Sequence, residues 1–369
     1  MARVIADAPV PAAAAVPRRR VRAVLAWLHL WVGLTVGVVF SVIGLSGSAL
    51  VFHEELLRWQ HPHLAAGDTR VDARVVDAIV ERGREDGLRS LQFPSESMPT
   101  WIGFHADGRR VHYATDDGRV LLVRDTGSDA LLWLHDLHTH LLAGETGEQV
   151  NGVLGFVCLG LVLVGLYLWW PARGRMLAQL RVYRGPPIRR WLTWHRSSGV
   201  LLLPLLVLSI LTGVGMIYHE AARALLTGAF GGEAVLPAAP ERPAAPVQWD
   251  RVLRTADSAF GDARLTRVSV PADDAGTVGF RAKQAGEWHP NGRSTITVDA
   301  AGLQVLQASA ATAEPAGGRA ANAIYPLHIG VAGGAVLRWL TFLAGLMPAF
   351  LLVTGFLYWH RRRQARRRA

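Results

Sequence analysis

The stretch Trp27-Leu28-His29-Leu30-Trp31-Val32-Gly33 decides the fold, because the chain carries an echo of it. The echo is Thr193-Trp194-His195-Arg196-Ser197-Ser198-Gly199, in which the histidine and the glycine lie 166 residues further on. Ser46-Gly47 returns as Thr212-Gly213 at the same offset. Self-similarity at a fixed offset is typical of an internal repeat. These stretches therefore predict two equivalent halves, each opening with the same helix.

The two halves also end alike. Leu137-His138 with Gly144 six residues later matches Leu327-His328 with Gly334, and here the offset is 190 residues. Between the opening and closing helices, a helical pattern followed by β-like runs predicts a small α+β module over 54–140 and another over 220–328. The longer offset indicates an insertion in the second outer segment, where loops accept one most easily.

Composition and hydropathy indicate a membrane protein. Half of the residues are apolar and only 18% are charged, against about a quarter in soluble proteins. A membrane span takes about 20 helical residues, and four apolar segments are long enough: 23–53, 141–172, 191–219 and 329–360. The pattern excludes a soluble enzyme. We predict an α-helical membrane protein with a four-helix transmembrane bundle, built from two parallel internal repeats that each carry an outer α+β module.

The net charge of +10 is concentrated in three short arginine-rich segments, 1–22, 173–190 and 361–369. Excess arginine near the ends of spans marks the cytoplasmic side, so both termini and the middle loop are predicted to be cytoplasmic. We interpret these arginines as topology signals that contact anionic membrane lipid, and we expect no nucleic-acid binding. The first apolar run exceeds the core of a signal peptide, about 7–15 residues, and predicts a retained helix.

Histidines supply the functional signal. An ionisable group at membrane depth indicates function, and paired imidazoles across a helical bundle are typical of axial ligation of haem iron. Glycines on the first and third spans would leave room for a porphyrin. The alternative is that the imidazoles reach toward water in an aromatic belt. Six of the 14 histidines occupy repeat-matched positions: His29, His53, His138, His195, His219 and His328.

Distance along the helices limits how these histidines pair. His29 and His53 are separated by about 36 Å of helix, so no single haem uses both. We predict an inner haem ligated by His29 and His195 and an outer haem ligated by His138 and His328. Covalent haem attachment at a Cys-x-x-Cys-His site is excluded, because the chain has one cysteine.

Other candidates rank lower. His53 with His219 is the second choice for the outer haem. Arg196 and Arg338 adjoin the ligand-bearing segments and are candidates for pairing with haem propionates. The other histidines of the outer segments have no matched partner, and we expect surface or loop roles for His61, His63, His105, His112 and His289.

These motifs together resemble the PepSY-associated transmembrane family of bacterial iron-regulated inner-membrane proteins. The resemblance covers most of the chain, including the Gly165-to-Trp169 exit of the second span and its match at Gly355 and Trp359. It implies periplasmic PepSY-like modules and a di-haem b reductase that releases iron from ferric siderophores. The family's recurring histidines fall on His29, His138, His195 and His328, with His53 and His219 also matching.

The leading hypothesis is therefore a haem-dependent ferric-chelate reductase. Its electron donor would be another molecule in the cytoplasm or a quinol, because the chain lacks the Gly-x-Gly-x-x-Gly fingerprint of nicotinamide and flavin sites. Reduction would release the metal, since oxygen-donor chelators hold Fe³⁺ better than Fe²⁺. The main alternative is a non-enzymatic sensor or accessory protein of iron or haem uptake, which binds a periplasmic ligand or partner. A haem carrier is the third hypothesis.

Overall fold

A computed structural model of the chain describes residues 16–170, 175–232, 242–271 and 275–368. The predicted cytoplasmic segments 1–22 and 173–190 lie partly outside these ranges. The described helices are α1 Val16–Leu50, α2 His53–Gln60, α3 Ala73–Glu85, α4 Ala130–His140, α5 Gly144–Trp169, α6 Met176–Gln179, α7 Pro187–Leu201, α8 Leu203–Ile217, α9 His219–Phe230, α10 Trp249–Ser258, α11 Ala316–His328 and α12 Gly334–Arg368. The described strands are β1 Leu88–Gln92, β2 Trp101–His105, β3 Arg110–Tyr113, β4 Val120–Arg124, β5 Arg264–Ser269, β6 Thr277–Lys283, β7 Ser294–Asp299 and β8 Val305–Ser309.

Several helices are long and apolar enough to cross a membrane. Within the described ranges these are α1, α5 and α12, and the bent pair of α7 and α8 makes a fourth span if it is counted as one. The sequence predicted a single span over 191–219, whereas the structure bends the chain by 60° between α7 and α8. The bend follows from Pro204, which lacks a backbone N–H and whose ring clashes with the carbonyl group four residues earlier.

The apolar helices pack side by side. α1 lies against α12 and α5, α12 also contacts α7, and α8 packs on α5. The contact between α1 and α12 is close because two glycines meet there. A Cβ built on Gly44 would lie 2.5 Å from the carbonyl oxygen of Gly345, and one built on Gly345 would lie 2.6 Å from that of Gly44. Small residues let helix backbones approach in this way.

The outer segments form one sheet. Its eight described strands run in the order β4-β3-β2-β1-β5-β6-β7-β8. The sequence predicted two separate α+β modules, but β1 pairs antiparallel with β5, with Leu91 opposite Val268. Helices α3 and α10 cover one face, where Val76, Val252 and Val268 are fully buried in a shared core. Joining the modules edge to edge removes two open strand edges and merges their apolar faces.

The opposite face of the sheet lies against the helices that follow and precede the apolar spans. Ile102 and Leu122 on this face pack against a cluster that contains Leu57 of α2 and Leu131 of α4. Because α4 carries His138, this packing sets one of the predicted haem ligands in relation to the sheet.

Candidate functional site

The structure brings His29 of α1 next to His195 of α7. Their ring centroids are 6.2 Å apart, and the ring planes are nearly perpendicular at 84°. These two residues lie 166 positions apart in the chain, so only the packing of the apolar helices brings them together.

A second pair forms between His138 of α4 and His328 of α11. Their ring centroids are 6.1 Å apart and their planes are inclined at 42°. Both histidines lie in the last turns of short helices that precede an apolar helix. The structure thus brings together the same two pairs that the sequence predicted.

Each of the four imidazoles is held by its Nδ1 atom. Nδ1 of His29 lies 3.2 Å from the carbonyl oxygen of Leu161, that of His195 lies 2.9 Å from Leu351, and that of His138 lies 2.9 Å from Ile43. Carbonyl groups only accept, so these Nδ1 atoms carry the proton and the Nε2 atoms keep their lone pairs. A ring held in this way presents a metal-binding nitrogen in a fixed direction.

His328 is held by a hydroxyl group instead. Its Nδ1 lies 3.0 Å from Oγ1 of Thr212, and this hydroxyl donates its own hydrogen to the carbonyl of Leu208 at 2.6 Å. The Thr212 oxygen therefore accepts the Nδ1 proton. Ser46 and Thr354 stand in comparable places, 3.2 Å from Nδ1 of His138 and 3.3 Å from Nδ1 of His195.

Glycines make room for all four rings. A Cβ built on Gly47 would lie 2.6 Å from Cε1 of His138, and one on Gly213 would lie 3.2 Å from Cε1 of His328. The sequence marked Ser46-Gly47 and Thr212-Gly213 as repeated motifs without showing what they do. In the structure, the hydroxyl group binds a ring nitrogen and the glycine leaves space for the ring. The remaining two contacts are Gly165 with His29, at 2.9 Å, and Gly355 with His195, at 3.2 Å.

The helices that carry each histidine pair are held apart from one another. α1 and α7 pack on α12 rather than extensively on each other, and α4 packs on α1 and α5 while α11 packs on α8 and α9. Within the described ranges, the imidazole rings are thus the groups that reach across the gap between the ligand-bearing helices.

A tight reversal of the chain fixes the direction of His138. Leu141 and Leu142 have positive φ values of 50° and 60°, a conformation that non-glycine residues rarely adopt. Asn151 of α5 donates to the backbone carbonyls of His138 at 2.8 Å and of Thr139 at 3.2 Å. These bonds satisfy the free carbonyl groups at the end of α4.

The second-choice histidines are not brought together. His53 is exposed, and its Nδ1 lies 3.1 Å from the carbonyl oxygen of Leu50. His219 is exposed as well and lies beside Glu220. No ring contact joins the two within the described part of the chain. Of the predicted pairs, this one is therefore left without a structural counterpart.

The two arginines proposed for propionates have protein partners. Arg196 donates a hydrogen bond to the side chain of Gln179. Arg338 donates to the carbonyl of Val51 at 2.7 Å and to the carboxylate of Glu55 at 2.6 Å. The Arg338 bond lowers the pKa of Glu55. Both propionate assignments remain predictions, and each would require an arginine to share or exchange these partners.

The expectation of surface or loop roles is wrong for three histidines of the outer segments. His105, His112 and His289 are buried, and they find partners in the interior. Nδ1 of His112 lies 3.0 Å from Oγ1 of Thr100, and the ring of His289 lies 5.0 Å from that of Tyr325. Burial lowers the pKa of His112 and of His289 to about 3, and nearby arginines lower it further in the same direction.

Sequence reasoning also missed a basic face on the sheet. Antiparallel pairing sets Arg267 directly opposite Arg281 and Arg110 directly opposite Arg124. The members of these pairs come from different hairpin strands, so their adjacency depends on register and no local motif marks it. This face carries His112 as well, because His112 pairs with Ile102 in the same row.

Apolar helices joined to an α+β sheet, with two histidine pairs held between the helices, define a helical membrane protein with two candidate cofactor sites. A family model described as the PepSY-associated TM region matches residues 26–362, so the chain belongs to this family. The resemblance recognised in the sequence is confirmed. No curated protein matches the chain.

Proposed function

We propose that this protein is a di-haem b oxidoreductase of the bacterial inner membrane, which reduces ferric siderophores or other ferric chelates on the periplasmic side. One observation carries the proposal. Two pairs of imidazoles, His29 with His195 and His138 with His328, face each other at nearly the same spacing. In the described part of the chain, the Nε2 atoms of these rings make no hydrogen bond, and Nδ1 holds each ring in place.

The spacing fits a metal between the rings. Bonds from a first-row metal to imidazole nitrogen are about 2.0–2.1 Å, which places two nitrogens on opposite sides of one metal about 4 Å apart. Each ring centroid lies about 1.1 Å behind its nitrogen, so the centroids should be about 6.2 Å apart. The observed separations are 6.2 and 6.1 Å.

The surroundings fit a flat macrocycle. The helices that bear each pair do not pack closely on each other in the described part of the chain, and glycines rather than larger residues stand against the rings. Haem b takes two neutral imidazoles without a covalent link. Bound haem would supply reversible one-electron transfer, and each Fe³⁺ of a chelate takes up one electron.

The protein's own residues divide between two depths. On α1, His29 belongs to one site, and Gly47, which contacts His138 of the other site, lies 18 residues further along. That interval corresponds to about 27 Å of helix, close to the hydrocarbon thickness of about 30 Å. The two sites therefore suit the two faces of a membrane. Ser46, Thr212 and Thr354 orient their histidines and keep the Nε2 lone pair available.

We further propose that the apolar helices form a four-helix bundle of two parallel repeats, with both termini in the cytoplasm. Equivalent contacts support the repeat: Ser46-Gly47 holds His138 as Thr212-Gly213 holds His328, and Gly165 lies against His29 as Gly355 lies against His195. The arginine-rich segments would then face the cytoplasm and anionic lipid. A quinol or a separate reductase would supply the electrons.

The test is the absorption spectrum of the purified protein. We expect a reduced-minus-oxidised b-type spectrum and two haems per chain. His29→Ala and His195→Ala should each remove one haem, and His138→Ala and His328→Ala should each remove the other. The prereduced protein should be reoxidised by a ferric chelate in a one-electron step per iron.

His53→Ala and His219→Ala are the matched controls, and both variants should keep two haems. A colourless protein would refute the proposal and favour the non-enzymatic accessory protein. A protein that binds haem but loses it readily, and that does not reduce a ferric chelate, would favour the haem carrier. Retention of both haems in His29→Ala and His195→Ala would refute the inner site.

A further inference from the structure

The sheet face that is turned toward α4 and α11 concentrates positive charge. Arg267 of β5 lies directly opposite Arg281 of β6, and Arg110 of β3 lies directly opposite Arg124 of β4. Like charges directly opposite in antiparallel strands destabilise a sheet. Two such pairs on one face therefore need negative charge nearby.

The protein itself supplies little of that charge. Asp129 neutralises Arg124 through two bonds of 2.6 and 3.1 Å. Arg267 donates to Gln92, whose amide is neutral, at 3.2 Å. Among the described residues, the other carboxylates on this side are Glu54, which faces Tyr325, and Glu287, which faces Arg293. Neither forms an ion pair with Arg110, Arg267 or Arg281.

Two guanidinium groups have unused donors. The Nε atoms of Arg267 and Arg293 are buried and have no hydrogen-bond partner within the described ranges. A buried donor without an acceptor is costly, and native proteins rarely leave one unmet. Burial, together with Arg281 and Arg110, lowers the pKa of Arg267 to about 10. The site thus keeps its charge at neutral pH while it remains poorly solvated.

Aromatic rings hold this cluster in place. The guanidinium of Arg267 lies 4.2 Å from the ring centroid of Phe104, and that of Arg110 lies 5.7 Å from the same ring. Tyr325 of α11 contacts the field of Arg110, Arg267 and Arg293 and lies one helical turn before His328. The cluster is therefore preorganised beside the outer histidine pair.

We propose that Arg110, Arg267, Arg281 and Arg293 form a binding site for a polycarboxylate ligand, so that the substrate is an anionic ferric chelate rather than a neutral or cationic one. This inference rests on the proposed function. Planar guanidinium groups bind carboxylates through paired hydrogen bonds, and a chelate held here would lie next to the outer site.

The propionate groups of the outer haem offer the same carboxylate chemistry. The experiment therefore separates the two sources by using a ligand that cannot be reduced. Gallium(III) citrate carries the charge of the ferric complex but is redox-inert, so its binding to the purified haem-loaded protein needs no electron transfer. Calorimetric titration measures its affinity, and a gallium trihydroxamate of net positive charge serves as the comparison ligand.

We expect gallium citrate to bind more tightly than the cationic chelate, and its affinity to fall as salt is added. Arg267→Gln and Arg281→Gln should weaken binding about tenfold or more. Arg267→Lys, which keeps the charge, should retain part of the affinity. Arg264→Gln removes an exposed arginine from the same strand and should change nothing. Haem content should stay at two in all four variants.

Two outcomes would overturn the inference. Equal binding of both chelates with no effect of the glutamine variants would show that the cluster is not a ligand site. Loss or a shifted potential of the outer haem in Arg267→Gln, with unchanged citrate affinity, would assign the arginines to propionates. If gallium citrate binds as expected but ferric citrate is not reduced, the proposed function fails while the binding site stands.

Discussion

Gly47 and His138 are in contact so close that no side chain fits between them: a Cβ on Gly47 would lie 2.6 Å from Cε1 of the imidazole. Gly47 is on α1 and His138 on α4, so this contact fixes how the short helix sits against the apolar one. The neighbouring Ser46 contacts Nδ1 of the same ring at 3.2 Å. Two adjacent residues therefore determine both the position and the protonated nitrogen of one ring.

The first prediction concerns this contact. Gly47→Ala should displace the ring of His138 and leave about one haem per chain, because the outer pair no longer meets at the spacing of two bonds of about 2 Å. The inner haem should remain, since His29 and His195 do not touch Gly47. Haem content and the reduced-minus-oxidised spectrum are the measurements. Gly33→Ala is the control on the same helix, because a Cβ there meets nothing within 4 Å. Equal haem content in both variants would contradict the prediction.

The second prediction concerns the hydroxyl that accepts from His328. Thr212→Val keeps the shape of the side chain but removes the acceptor that lies 3.0 Å from Nδ1. Loss of such a partner typically weakens metal binding by about 10- to 100-fold. The outer haem should therefore dissociate faster and change its midpoint potential, while the inner haem keeps both properties.

Thr35→Val is the matched control for this substitution. The Thr35 hydroxyl bonds only to carbonyl groups of its own helix, at 2.9 Å from Trp31. Its removal should leave both potentials unchanged. A Thr212→Val protein with two unaltered potentials would show that the hydroxyl does not support a ligand.

The residues that could be predicted from the sequence are those that the repeat duplicates. His29 and His195 share an offset with Ser46-Gly47 and Thr212-Gly213, so the chain itself displays which positions are equivalent. Pairing then followed from helix length, since one haem cannot reach both ends of a span.

The burial of His112 and the row of arginines could not be predicted in the same way. Arg267 meets Gln92 only because β5 pairs with β1 across 175 positions. Strand register over such distances depends on tertiary packing, and a shift of one residue would turn each side chain to the other face. The bend before α8 was visible in Pro204, but its angle depends on how α7 and α8 pack against α12 and α5.

The third prediction concerns pH and the outer sheet. His112 is only 1% exposed, and its pKa in the folded protein is about 3, against an ordinary value of 6.5. Burial is the main cause. Above pH 6.5 the imidazole is neutral whether the sheet is folded or not. Below that value the unfolded chain binds a proton that the folded one does not, so stability falls by about 1.4 kcal/mol per pH unit until the pH approaches 3.

Amide exchange of the strands, corrected for its intrinsic pH dependence, measures this loss. His112→Gln still offers a partner to Thr100 and cannot take up the proton, so its sheet should lose less stability as the pH falls. The exposed His63 provides the control, and His63→Gln should follow the unmodified protein. The same acid sensitivity in all three proteins would show that another group is responsible.

The fourth prediction concerns the ion pair that ties α4 to the sheet. Arg124 and Asp129 are only 7% and 9% exposed, and Asp129 also accepts from the backbone N–H of Leu132 at the start of α4. Asp129→Asn keeps the ability to cap the helix but leaves the Arg124 charge buried and unpaired. Removing one partner of a buried pair costs about 3–5 kcal/mol.

The amides of α4 should therefore exchange at least about 100-fold faster in Asp129→Asn, in line with that loss of local stability. Because α4 carries His138, the outer haem should become labile while the inner haem stays bound. Asp125→Asn alters an exposed aspartate of the adjacent turn, and it should affect neither exchange in α4 nor the outer haem. If Asp129→Asn released both haems equally, the ion pair would be supporting the whole fold rather than the position of His138.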